Sequence, residues 1–254
     1  MTTRGPAELL FIIPAFNEEE ALPGVLAELA QAYPDADVVV IDDGSSDRTA
    51  AVARAGGAVV LQLPYNLGIG GALRTGFRYA VRKGYPRGVQ FDADGQHHPD
   101  EVPALLAGLD AGADMVVGSR FVDGRPPGYH VGRLRKAAMG VLTVTMRRIA
   151  GKDFSDTSSG FRAFSRPVLE FFADTYPAEY MESVEALFST VRAGYEVVEV
   201  PVTMRNRELG APSNRTWRLV YHYLRLFVVL LAAAPRSRRP SPPPADSAAP
   251  EATA

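Results

Sequence analysis

Cysteine is absent from all 254 residues, so neither a disulfide framework nor a thiolate metal site can form. A charge excess is missing as well. The net charge is −2 and the pI about 6.1, which gives no support for nucleic-acid binding. The opening Met1-Thr-Thr-Arg-Gly-Pro6 lacks the apolar core of a signal peptide, so the expected location is the cytoplasm. The uncharged apolar run near the C-terminus, residues 226–234, falls far short of the ~20 residues that span a bilayer. No Gly-Lys-Ser/Thr phosphate loop occurs. Gly68-Ile-Gly70 is no dinucleotide fingerprint, because position 73 is Leu where Gly is required. No internal repeat is found.

What is present starts with a core. Hydrophobic residues make up 46% of the chain, enough for one large domain or two small ones. The near-neutral total hides a split. Residues 118–152 carry eight basic side chains against one acid, Asp123, and residues 203–239 carry eight more against Glu208. Such basic segments suit an anionic substrate or membrane surface, or equally a solvated helix face. From 235 onward Pro, Ala and Ser dominate without periodicity, and this tail is expected to be disordered.

Continuous apolar runs at 8–14, 37–42, 58–63, 88–91 and 114–118 read as buried strands. Helical spacing predicts helices over 21–33, 47–55 (capped by Ser46 or Asp47), 70–83 and 99–109 between them. This alternation predicts an α/β fold, a parallel sheet with helices on both faces. The second half is less regular: helices at 134–149, 168–172 and 181–193, strands at 160–164 and 196–202. Residues 1–234 are read as one domain. Within it, 215–234 holds Trp217, Tyr221, Tyr223 and several Arg, and reads as a C-terminal helix. It would lie in the membrane interface, or pack on the domain or a partner protein.

In such sheets ligands bind beyond the carboxyl ends of the strands, and the polar clusters fall there. Ala15-Phe-Asn-Glu18, Asp42-Asp-Gly-Ser-Ser-Asp47, Tyr65-Asn-Leu-Gly68 and Asp92-Ala-Asp94 each follow a strand. Any one is ordinary turn chemistry; four on one edge, three with acids, are harder to assign to turns alone. Asp92 and Asp94, one residue apart just past a strand, can turn toward one hard cation. Mg²⁺ and Mn²⁺ favour oxygen ligands and are shared with substrate phosphates.

Taken jointly, the motifs resemble family 2 glycosyltransferases of GT-A fold. The likeness is strongest to those related to dolichol-phosphate mannose synthase and the bacterial polyprenyl-phosphate sugar transferases. The residues that carry it are Ile13-Pro-Ala-Phe-Asn-Glu18, Val40-Ile-Asp-Asp-Gly-Ser-Ser-Asp47, Asn66-Leu-Gly-Ile-Gly-Gly-Ala-Leu-Arg-Thr-Gly76 and Asp92-Ala-Asp-Gly-Gln-His97. Val117-Gly-Ser-Arg120, Asp156-Thr-Ser-Ser-Gly-Phe-Arg162 and Val200-Pro-Val202 followed by Arg207-Glu-Leu-Gly210 continue the series.

The resemblance implies a Rossmann-like, mostly parallel GT-A sheet and an inverting, metal-dependent transfer. The sugar would pass from a nucleoside-diphosphate sugar to a polyprenyl phosphate. It implies a nucleoside pocket of Pro14, Phe16, Glu18, Ile41 and Asp43. Asp92 would face the diphosphate, and Asp92, Asp94 and Gln96 would hold Mg²⁺ or Mn²⁺. Arg120, Arg133 or Arg135, Arg162 and Arg207 would bind substrate, chiefly the acceptor phosphate. Asp94 and Asp156 would be catalytic, Asp156 near the sugar and acceptor. The partner would be a membrane surface or a small membrane protein, with the protein peripheral at the inner face of the cell membrane.

The chain departs from the family pattern in two places. Ile69 stands where many members have Lys. The segment Arg207-Glu-Leu-Gly-Ala-Pro-Ser-Asn214 is one residue longer than the usual motif and lacks its Lys. Three alternatives remain: a soluble transferase acting on a glycan or small alcohol, a non-catalytic nucleotide-sugar-binding partner of a membrane protein, and an NAD-dependent oxidoreductase.

Overall fold

The computed structural model describes residues 7–122, 154–177 and 182–205. The segments predicted at 134–149 and 215–234, the tail from 235, and Arg133, Arg135 and Arg207 lie outside the described residues.

A seven-stranded sheet runs in the order β3-β2-β1-β4-β6-β5-β7. Its strands are β1 (Leu9–Ala15), β2 (Asp37–Asp42), β3 (Val59–Gln62), β4 (Arg87–Gln90), β5 (Met115–Ser119), β6 (Arg162–Ser165) and β7 (Val197–Pro201). β1, β2, β3 and β4 pair in parallel, as do β5 and β7. The sheet is thus mostly parallel with helices on both faces, as the alternation predicts. One feature differs. β6 lies antiparallel between β4 and β5, so the fourth and fifth strands of the alternation are not neighbours.

Side chains alternate across each strand and build two cores. Leu10 and Ile12 of β1, with Val39 and Ile41 of β2, face one side. There they pack against α3 (Ile69–Lys83), α5 (Arg166–Thr175) and α6 (Glu182–Arg192). Phe11, Ile13 and Val40 face the other side. They meet α1 (Leu22–Ala32), α2 (Thr49–Ala55) and α4 (Val102–Asp110). Strands apolar on both faces are what a covered parallel sheet requires.

Helix ends follow local chemistry. α3 stops at Gly84, a left-handed C-cap with φ 84°. α2 begins two residues later than the predicted 47, and Asp47 Oδ1 accepts the Thr49 amide at 2.9 Å. α5 runs well beyond the predicted 168–172. His98 caps the short 3₁₀ turn Pro99–Glu101 by accepting the Asp100 amide. α3 lies unusually close to the sheet. A Cβ on Gly76 would sit 2.5 Å from Ile12 Cγ2 and 2.9 Å from Ile41 Cδ1, so only glycine permits this approach.

Candidate active site

The carboxyl ends of β1, β2 and β4 open on one edge, and the loops that follow them are tied together. Asn17, held at φ 55°, accepts the Ser46 amide on Oδ1 at 2.9 Å and gives its own amide to Ser45 Oγ at 2.9 Å. The Glu18 amide donates to Thr49 Oγ1 at 2.9 Å, and the Glu19 amide to Asp47 Oδ2 at 3.2 Å. The β2 loop turns back at Gly44, with φ 72°, where a Cβ would meet the Tyr65 main chain at 2.7 Å. Positive φ and close approach both demand glycine there.

Asp43 is buried and takes the Leu67 amide on Oδ1 at 2.7 Å. It thereby fastens the chain after β3 to the β2 loop. Burial pushes its carboxyl up from the usual range, against the Leu67 and Gly68 amides that lower it; Asp42 adds to the rise. Of the other residues expected in the nucleoside pocket, Phe16 is exposed and Pro14 and Glu18 are half-buried at this edge. Ile41 is fully buried, part of the core beneath the pocket rather than its wall.

The turn after β4 carries the acid pair. Asp92 and Asp94 are both half-buried. Asp94 Oδ1 accepts the Gln96 amide at 3.1 Å, closing an Asx turn over Gly95. Gln96 is bound to the chain after β7, where its carbonyl accepts the Arg205 amide at 2.8 Å. His97 lies behind the turn, 2% exposed. Its ring stacks on Phe161 at 4.5 Å and meets Phe91 edge-on at 5.3 Å. Burial lowers its pKa to about 4, with Asp94 opposing and Arg120 adding to the fall, so the imidazole is neutral near pH 7.

Among the described residues, no three His, Cys, Asp or Glu side chains gather as a metal cage. Two carboxylates and one amide oxygen at an open edge are the donor set. That set suits a hard ion that keeps water and substrate phosphate among its ligands. Asp92, Asp94 and Gln96 therefore fit Mg²⁺ or Mn²⁺ shared with a diphosphate.

Arg120, just past β5, is locked onto Asp156. Its Nε lies 2.7 Å from Oδ2 and its Nη2 2.9 Å from Oδ1, a two-point ion pair. The Asp156 side chain is 0% exposed, and Ser158 Oγ donates to its Oδ1 at 3.1 Å. The turn that carries Asp156 hangs on Glu199 of β7. That carboxylate accepts the Ser155 amide at 2.7 Å and the Asp156 amide at 2.8 Å. Read from sequence, Asp156 is a group near sugar and acceptor. In the structure its oxygens are spent on orienting Arg120. Glu199 was missed, since its partners lie more than forty residues away; a lone acid between valines on β7 was the only signal.

Arg162 is fully buried, and its Nε donates to the Ser159 carbonyl at 2.8 Å. It faces Gln90 across the β4–β6 pairing, and Tyr176, Glu182, Asp156 and Asp92 surround it electrostatically. It sits beneath the acid turn rather than on a surface that touches substrate. Burial raises the Glu182 carboxyl, with the Ser183 hydroxyl and Arg162 opposing. Gly160 keeps this level open. A Cβ there would come within 3.0 Å of Gln90 Nε2 and 3.4 Å of Asp92 Oδ2.

Comparison with known proteins follows the same lines. Residues 10–172 match the model of glycosyl transferase family 2. Polyprenol monophosphomannose synthase of Mycolicibacterium smegmatis is 35% identical over 217 residues, covering 82% of each chain. Undecaprenyl-phosphate mannosyltransferase of Micrococcus luteus is 37% identical over 211 residues, covering 80% of this chain and 85% of that one. Among solved structures, glucosyl-3-phosphoglycerate synthase from Mycobacterium tuberculosis in complex with Mn²⁺, uridine-diphosphate and phosphoglyceric acid superposes with a TM-score of 0.66. It is 24% identical, and the match covers 89% of this chain and 77% of that one; at that identity it bears on the fold alone. The sheet is of GT-A type, and the chain is an enzyme of glycosyl transferase family 2.

Proposed function

We propose that the chain transfers a sugar from a nucleoside-diphosphate sugar to a polyprenyl phosphate, with inversion at the anomeric carbon. The observation that carries the reading is the half-buried Asp92/Asp94 pair, with Gln96, at the open strand edge beside the tied β1 and β2 loops. Two relatives with polyprenyl-linked names, each covering four fifths of the chain, support the acceptor class.

The β1 and β2 loops, with Phe16 at their rim, take the nucleoside. Asp92, Asp94 and Gln96 would hold Mg²⁺ or Mn²⁺. When bound, the ion would offset the negative charge that grows on the leaving diphosphate. Arg120, its Nε and Nη2 held by Asp156, brings its positive charge and Nη1 toward an acceptor phosphate. Arg133 or Arg135, and Arg207, add cationic charge for the same group.

The burial of Asp156 favours one acceptor class over another. A hydroxyl acceptor needs a base to take its proton, and Asp156, the acid expected near sugar and acceptor, would have to serve. Its carboxylate is sealed and paired with Arg120. A polyprenyl phosphate needs no such base. Its second pKa is about 6, so its attacking oxygen is already anionic at neutral pH.

Among the described residues no helix is long and apolar enough to cross a membrane. By its composition, the 215–234 segment, with Trp217, Arg218 and Arg225, brings the protein to the cytoplasmic surface of an anionic membrane. The test is incubation with Mn²⁺, radiolabelled sugar nucleotides and either a short polyprenyl phosphate or the matching free alcohol. Label should enter the organic phase with the phosphate only. Equal label on the free alcohol would overturn the acceptor assignment.

A further inference from the structure

His97 has both ring nitrogens near one residue. Nδ1 accepts the Asp92 backbone amide at 3.0 Å. A backbone N–H can only donate, so Nδ1 carries no proton and the neutral ring must carry it on Nε2. Nε2 in turn lies 3.4 Å from Asp92 Oδ2. The ring cannot swing away, because Phe161 stacks on its face and Phe91 closes its edge. Nor can it reach a substrate, being 2% exposed.

We propose that His97 is a positioning residue. It holds the Asp92 main chain, with Nε2 set beside the carboxylate, and so fixes the point from which that carboxylate leaves the end of β4. The partner distances give the order of the two contacts. The bond to the amide is formed. The contact to Oδ2, at 3.4 Å, is longer than a formed hydrogen bond and sets the ring beside the carboxylate. A histidine that fixes a neighbouring ligand in this way acts from behind the site, as outer-shell partners of metal ligands do.

The functional part rests on the donor-site reading above; the grip itself does not. Two measurements separate them. The first is the ¹⁵N–¹H spectrum of the histidine rings in the metal-free protein at pH 7. The His97 signals are assigned by their loss in His97→Phe. The grip predicts a bare Nδ1 and a protonated Nε2. A ring protonated on Nδ1 overturns it, whether or not the protein binds metal.

The second measurement is Mn²⁺ affinity in the presence of a nucleoside diphosphate, followed by electron paramagnetic resonance. His97→Phe keeps the stacking and removes both contacts, and should weaken Mn²⁺ binding ~10- to 100-fold. His97→Asn restores an acceptor near the Nδ1 position and should recover part of the loss, which also guards against a Phe variant that folds poorly. In an Asp92→Asn background, which keeps the amide contact but not the carboxylate, His97→Phe should cost clearly less than in wild type. Unchanged affinity in a folded His97→Phe variant, or an equal loss in both backgrounds, overturns the positioning role. Wild-type protein that binds no Mn²⁺ with nucleotide would instead sink the donor-site reading, and the ring spectrum would still decide the His97 grip.

Discussion

Asp43 and Arg120 show how far each residue's role depends on what surrounds it. Asp43 is held above its usual carboxylate range by burial. A carboxyl whose folded pKa exceeds its unfolded value, about 3.9, contributes its full stability below that unfolded value. The contribution is lost as pH rises through the folded pKa. Asp43→Asn keeps an oxygen for the Leu67 amide and cannot ionise. Its stability relative to wild type, read from urea midpoints, should therefore improve between pH 3 and pH 7; a gap independent of pH would contradict the shift. Arg120→Ala leaves the sealed Asp156 carboxylate without its guanidinium. Breaking one side of a buried pair costs about 3 kcal/mol, visible in denaturant unfolding. Adding Asp156→Asn should recover part of that stability while transfer stays lost. Arg120→Lys should rescue poorly, since an ammonium cannot meet both oxygens at once.

At the level of elements, α3 packs on β1 and β2, and β7 holds the turn that carries Asp156. Gly76 lets α3 rest on β1 and β2. Gly76→Val would force Ile12 and Ile41 off their positions at a cost of about 1–3 kcal/mol, measured as a lowered melting temperature. β7 holds the Asp156 turn through Glu199. Glu199→Ala should raise amide hydrogen exchange at Ser155 and Asp156 and reduce transfer, with little change in exchange across β1 and β2. Uniform exchange across all these strands would mean that Glu199 serves the whole sheet and not the turn.

For the whole molecule, the sequence made much of the fold legible and less of the site. Strands and helices of the first 119 residues could be read because each is a local pattern: a run of valines and isoleucines at β2, a Leu/Phe/Val face on α3. The place of β6 could not, because nothing in Arg-Ala-Phe-Ser states which strands flank it or in which direction. The acid turn after β4 was visible as a motif. The roles of Asp156, Arg162 and Glu199 were not, since each is set by contacts between segments far apart in the chain. The resemblance implies a substrate role for Arg162, yet opposite Gln90 its side chain is fully buried.

The central claim is that Asp92 and Asp94 hold a divalent ion against a donor diphosphate while the sugar leaves for a phosphate acceptor. Its most direct test is transfer of labelled sugar to polyprenyl phosphate by wild type and Asp94→Ala, each with Mn²⁺ and with a chelator in excess. The account predicts label in the lipid fraction only for wild type with Mn²⁺, with Asp94→Ala at least ~100-fold slower, the loss typical of removing one charge-stabilising group. Equal transfer by the variant, or undiminished transfer by wild type under chelation, would contradict it.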